Sequence, residues 1–177
     1  MINIDNKLTD QDILQLKYSE IIRKNNAFDL NYDGKIFKIA VVSNIITAQI
    51  NAILELSLKS QGLFACATSG DYNNIVQDSK NFNDSNLIII FFELSNVVDG
   101  LHYKIGSLDQ VQIDDIYEHI KSKIDLVFEN LTGNSFVIFN KFTSLLFNIY
   151  EIRKNKYDDL VIRLNAYLDN KKPPNVT

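Results

Sequence analysis

The chain has 177 residues, 46% of them hydrophobic and 23% charged, with a formal net charge of −4 at pH 7. That is long enough for one α/β domain around a single core, and the apolar content excludes a disordered chain. The acidic balance and the scattered basic residues exclude a nonspecific nucleic-acid binder, because nothing here would neutralise a phosphate lattice.

Residues 1–8 read as a frayed terminus. Thr9 or Asp10 then caps a helix running to about Asn25, with Ile13, Leu14, Leu16, Tyr18, Ile21 and Ile22 on its apolar side and Asp10 and Asp12 at the positive end of the dipole. Asn31, Asp33 and Gly34 form a turn signal, so 1–34 is an amino-terminal helical extension and 35–177 the α/β domain. Residues 37–42 are a β-branched apolar run too short for a helix, hence a strand buried on both faces. From Ile46 the period changes: Ile46, Ile50, Ile53, Leu54 and Leu58 fall on one helical face, and Gly62 suits a left-handed cap.

A second strand follows at 63–67, then a turn, Thr68 to Asp71, that either reverses the chain or presents backbone N–H groups to a ligand. A short helix fits 72–78. Residues 87–92 are six large apolar residues in a row, the strongest strand signal and the expected centre of the sheet. The stretch 97–111 has no clear period and reads as a long connection, either a binding loop or a surface excursion, with His102 in it. Helical spacing returns at 113–131, a fourth strand fits 135–139, an aromatic and aliphatic patch covers 142–150, and Asp158 or Asp159 opens a last helix ending near Asn170. After Pro173 and Pro174, residues 175–177 look like the start of another strand, so the chain is expected to be most of one domain cut, before its last strand, from a longer polypeptide.

The longest apolar run falls far short of the roughly 20 residues that cross a bilayer, and the amino terminus has no signal-peptide pattern; the expected location is cytoplasmic, with no membrane partner. The single cysteine, Cys66, sits in an apolar run and reads as a buried strand residue of a reducing compartment.

No phosphate-binding Gly-rich loop, zinc pattern, EF-hand or dinucleotide fingerprint occurs, so no cofactor and no metal are expected. In a parallel sheet, ligands bind at the carboxyl ends of the strands. The residues there are Ser43 and Asn44 after the first strand, Ser69 and Gly70 after the second, Glu93, Ser95 and Asn96 after the third, and Asn140 and Lys141 after the fourth. A serine, a glycine N–H and an asparagine amide on one rim could supply a nucleophile and an oxyanion hole. The activating base is missing, since no histidine follows His119.

This order of elements resembles the SGNH-hydrolase superfamily. By position, its nucleophilic serine corresponds to Ser43, its oxyanion-hole glycine to Gly70 and its asparagine to Asn96. Val41 and Val42 stand where that family has Gly-Asp, ELSN replaces GxND, and the closing Asp-x-x-His is absent. A closer similarity is to the amino-terminal, SGNH-like domain of FkbH-like proteins of the HAD superfamily. It rests on KIAVVSNIITAQINAILELSLKSQG, GDYNNIVQDS, SNLIIIFFEL and LVIRLNAYLDN before PPNV, most of residues 35–176.

The resemblance implies a three-layer flavodoxin-like or SGNH-like parallel sheet with helices on both faces, preceded by an amino-terminal helix. It also implies a HAD-type domain on the carboxyl-terminal side, bearing DxDxT, in a family associated with loading a glyceryl unit onto an acyl carrier protein. DxDxT is absent here, so the implied role is to position a substrate or carrier protein, with Asn44, Gly70, Glu93, Ser95, Asn96 and Asn140 as binding or oxyanion-type residues. The alternatives are an esterase or acyltransferase using Ser43, and a stand-alone interaction domain.

Overall fold

Four segments become four parallel strands; the second, expected at 63–67, lies at 65–69, so Thr68 and Ser69 belong to the strand and not to the turn. The strands are β1 (Phe37–Ser43), β2 (Ala65–Ser69), β3 (Leu87–Phe91) and β4 (Phe136–Phe139), in the order β2-β1-β3-β4. Val41 lies opposite Ser69 on one side and Ile89 on the other, and Ile89 opposite Ile138. This is the strand order of flavodoxin-type doubly wound sheets, whose fifth position lies beyond β4. Residues 175–177 occupy that position: Val137 N–H donates to the Asn175 carbonyl at 2.9 Å, and Thr177 N–H returns to the Val137 carbonyl at 2.9 Å. The computed structural model describes residues 8–30, 32–131, 133, 135–144 and 155–177. Most of the aromatic patch expected at 142–150, from residue 145 onward, lies outside them, as do residues 1–7.

Among the described residues seven α-helices accompany the sheet. Three cover one face: α4 (Ile75–Asn81), α6 (Gln110–Asn130) and α7 (Lys156–Lys171). Successive strand residues point to opposite faces, so Ala40, Val42, Ile88, Ile90, Val137 and Phe139 meet Ile75, Ile120, Ile124, Val127, Leu160 and Leu164 in one dry cluster. A capping box opens α6, where the Asp109 carboxylate accepts the Gln112 N–H at 2.9 Å and the Gln112 amide oxygen accepts the Asp109 N–H at 2.9 Å. The Asn155 side chain caps α7 through Asp158 N–H, at 2.9 Å.

On the other face α3 (Ala48–Ser60) places Leu54 and Leu58 against Ile39, Val41 and Ile89. The helical stripe expected from Ile46 is only half realised: Ile46 is 87% exposed and Ile50 is 39% exposed, while Ala52 and Leu56 are buried instead. The reason is that α3 is covered on two sides. Its outer side packs against α1 (Asp10–Gln15) and α2 (Tyr18–Asp29), with Ile13 and Ile21 joining Ala52 and Leu56. One continuous amino-terminal helix was expected; the chain instead extends at Leu16 and Lys17 and restarts where the Glu20 carboxylate accepts the Lys17 N–H at 3.0 Å. The break lets Ile13 and Ile21 both reach α3, and Asn25 anchors α2 by donating to the Ala52 carbonyl at 2.8 Å.

Two further expectations are corrected. Much of the stretch 97–111 is ordered, with α5 (Leu101–Lys104) between two 3-10 turns, and Leu101 and Ile105 buried in the main core. Gly100 at φ +67° makes the turn into α5, a conformation that suits glycine. Cys66 is exposed, because β2 is an edge strand and Cys66 faces away from buried Ala65. Burial and then the Glu55 carboxylate push its thiol pKa up, so it stays protonated.

Candidate functional site

All four strands run the same way, so their exits share one rim, and that rim is built around the end of β1. Ser43 is 6% exposed and its hydroxyl donates to the Ile45 carbonyl at 2.7 Å, bending the chain toward α3. Asn73, with φ +59°, donates its backbone N–H to the Ser43 carbonyl at 3.1 Å and so laces the β2–α4 loop onto the same point. Gly70 N–H bonds the Val41 carbonyl at 2.9 Å from the β2 side, and the Asn96 amide bonds the Asn44 carbonyl at 2.9 Å from the β3 side. Ser43, Gly70 and Asn96 are thereby gathered about one strand end.

Asn44 is completely buried, and its side chain does the work of one more strand residue. Its Nδ2 donates to the Glu93 carbonyl at 2.8 Å and its Oδ1 accepts the Glu93 N–H at 2.7 Å, prolonging the β1–β3 ladder past its last backbone pair. Asn140 repeats the device on the opposite flank, where Oδ1 accepts the Phe92 N–H at 2.6 Å and Nδ2 donates to the Phe92 carbonyl at 3.3 Å. A third instance, Asn165 on α7, exchanges two bonds of 2.9 Å with the backbone of Phe142 just past β4. An amide side chain carries the same donor and acceptor as a peptide group, and this lets it satisfy a diverging strand end that no backbone can reach.

Gly70 is required by its neighbour. The buried Asp78 carboxylate accepts the Asp71 N–H at 2.7 Å and the Asn74 amide at 3.0 Å, and it fills the space a β-carbon on residue 70 would need. Ser69 Oγ accepts from Asn51 Nδ2 at 2.7 Å and lies 3.4 Å from the Thr47 hydroxyl, at the amino end of α3.

On the β3 side, the Glu93 carboxylate holds the next turn by accepting the Ser95 N–H and hydroxyl, both at 3.3 Å. Close to it stands a residue that the sequence analysis missed. Tyr157, in the first turn of α7, is 4% exposed and its hydroxyl has no hydrogen-bond partner among the described residues. Burial first, then the nearby charges of Glu93 and Asp158, push its pKa up to about 12. Tyr157 precedes the point, Asp158 or Asp159, at which the last helix was expected to open, whereas α7 starts at Lys156; the Glu93 carboxylate near it became visible only in the fold. Around this polar centre, Ile46 at 87% exposure and Tyr72 at 66% give an apolar outer rim.

Among the described residues no group of three or more His, Cys, Asp or Glu side chains is placed to hold a metal ion, and no helix is long and apolar enough to cross a membrane. A cavity of about 150 Å³ lies away from the rim, between α2, α3 and the start of β2. There the buried Lys59 ammonium is bonded to Asp29 at 2.7 Å and Glu55 at 3.4 Å, and Glu55 also accepts the Ala67 N–H at 2.7 Å on the open edge of β2. An inward charge of this kind blunts an edge strand.

No protein-family model matches the chain, and no curated protein matches it. Among solved structures it is similar to the N-terminal part of the protein BF1531 from Bacteroides fragilis, which contains a phosphatase domain and was crystallised with Mg. The two share 14% sequence identity and a TM-score of 0.59, over 88% of this chain and 42% of that one. The chain thus spans about two fifths of that structure's length. At that identity the likeness speaks for the fold alone.

Proposed function

We propose that this chain is the amino-terminal, SGNH-like domain of an FkbH-like protein of the HAD superfamily, and that it positions a substrate or an acyl carrier protein for a catalytic domain elsewhere in the same polypeptide. The observation that carries this reading is the use of the rim's polar groups in its own architecture. Ser43 donates into its own turn, and the amides of Asn44 and Asn140 are bonded to the backbone leaving β3. A rim so occupied is rigid, and the exposed Ile46 and Tyr72 around it offer apolar contact to a docked partner. The likeness to the N-terminal part of a phosphatase-domain protein is compatible with this reading at the level of the fold.

The test is twofold. The complete reading frame is expected to encode a DxDxT motif beyond residue 177. Titration of the protein with an acyl carrier protein is expected to shift amide resonances at Ile46, Tyr72 and Asn73, and to lose at least tenfold in affinity in Ile46→Asp. A frame without DxDxT, together with no binding, would sink the proposal and leave an interaction domain of another kind.

A second reading has its own supporting observation, because Gly70 and Asn96 flank the strand end that carries Ser43. In that reading the domain is an esterase or acyltransferase with Ser43 as nucleophile. Hydrolysis of a small aryl ester at equal rates by the native protein and by Ser43→Ala would remove it.

A further inference from the structure

Away from the rim, the cavity of about 150 Å³ between α2, α3 and the start of β2 has a polar end and an apolar wall. The polar end is Lys59, which is 4% exposed and gives two of its three N–H donors to Asp29 at 2.7 Å and Glu55 at 3.4 Å. The third N–H has no acceptor among the described residues. A buried ammonium short of one acceptor is unfavourable, so the completing atom comes from whatever fills the cavity. The backbone adds a second polar point. Phe37 N–H bonds the Phe64 carbonyl and Gly70 N–H bonds the Val41 carbonyl, so the even-numbered residues of β2 turn toward β1. The odd-numbered ones turn to the open edge, where Glu55 accepts the Ala67 N–H at 2.7 Å and the carbonyl of Ala65, a lining residue, remains as an acceptor.

The rest of the lining is flat and apolar. The Tyr32 and Phe64 rings stack at 3.5 Å between centroids, 4° from parallel, and Ile36 joins them from a position 51% exposed. Water fills such a space poorly. At about 30 Å³ each, roughly five molecules would enter, each wanting two to four polar partners, and the aromatic wall supplies none. A single flat group with a polar tip satisfies both ends, and about 150 Å³ is a size that admits a benzene ring. Charge decides the tip. Two carboxylates already face one ammonium, so an anion meets net repulsion, while a cation has nothing to offer the spare Lys59 donor. A neutral carbonyl accepts from Lys59, and an attached N–H donates to Ala65.

We propose that this cavity is a binding site for a small, flat, neutral aromatic amide, with the ligand carbonyl on Lys59 and the ligand N–H on the Ala65 carbonyl. The site is separate from the rim, so its test and those of the proposed function fail independently.

Benzamide, benzoate and benzamidine share one shape and differ in charge, and each is titrated into the 177-residue protein while amide resonances are followed by NMR. Benzamide is expected to shift Phe64, Cys66 and Ala67 with a Kd of about 1 mM or tighter, and to bind at least about fivefold more tightly than either charged probe. Ile36→Trp fills the cavity from an exposed position outside the core, and is expected to weaken benzamide at least tenfold at an unchanged melting temperature. Lys59→Met keeps the buried stem and removes the donor, with the same loss expected; should it fail to fold, Ile36→Trp alone decides. No shift at these residues with millimolar benzamide, benzoate or benzamidine binding as tightly, or undiminished binding in Ile36→Trp would each overturn the proposal.

Discussion

The two faces of this sheet are made by the same strands and behave differently. Along β3, Ile88 and Ile90 belong to a core shared with three helices, while Ile89, between them, packs with α3 at the margin of a smaller cluster. Along β4 the contrast is sharper, because Val137 and Phe139 are buried and Phe136 and Ile138 face outward. The larger core therefore lies on the α6 and α7 side, and the α3 side holds a smaller cluster that ends at Ile89 and leaves Phe136 and Ile138 exposed. A period of two is what makes this division possible, since one strand can serve two environments without compromise.

The largest expected effect tests that contrast directly. Ile90→Ala should cost about 3–4 kcal/mol in urea unfolding, because it opens a cavity at a fully buried position, while Phe136→Ala in this 177-residue chain should cost under about 1 kcal/mol. Equal costs would mean that the two faces are energetically alike.

Next come the asparagines at the exits of β1 and β3. Asn44→Ala leaves the half-buried N–H and carbonyl of Glu93 without their partner and should cost about 1–3 kcal/mol, whereas Asn96→Ala, on an exposed residue, should cost about 0.5–1 kcal/mol. A small effect at Asn44 would show that water replaces its amide.

Gly70→Ala should cost about 1–2 kcal/mol, since the new methyl meets the Asp78 carboxylate. The cost should be non-additive with Asp78→Ala in a double-mutant cycle, and simple additivity would refute the contact.

The smallest effect carries the opposite sign. Tyr157→Phe should stabilise the protein by up to about 1 kcal/mol at pH 7, because the hydroxyl it removes is buried without a partner among the described residues. The folded-state pKa of Tyr157, about 12, lies above the usual value of 10.0, so its neutral form favours the fold. The contribution is complete below pH 10 and is lost as pH rises toward 12, by up to about 3 kcal/mol for a two-unit shift. Unfolding curves across that window should be flatter for Tyr157→Phe than for the native protein. Parallel curves would place Tyr157's hydroxyl in water.

Much of the fold was legible before the structure. The central strands were short apolar runs, with residues such as Val41 and Ile89, and burial on both faces leaves that composition behind. A helix start was legible where a side chain caps its own turn, as Thr9 does, whereas α6 opens at the Asp109 cap, ahead of the expected 113. The site was legible as a place, because parallel strands must release their polar tips on one side. The roles of its residues were not. Asn44 and Asn140 have the chemistry of an oxyanion hole and are engaged as surrogate strand residues, and nothing local distinguishes the two uses.

The sequence by itself determined the four strand-forming segments to within a few residues and most of the helices, since apolar periodicity is written within a few residues of where it acts. Only the tertiary structure decided that the amino-terminal helix divides around α3, that Cys66 faces water, that Tyr157 stands near Glu93, and that Phe136 and Ile138 of β4 are exposed. Those outcomes depend on partners far apart in the chain, as Asn44 and Glu93 are at 49 positions, and a contact across that distance leaves no mark on the residues nearby.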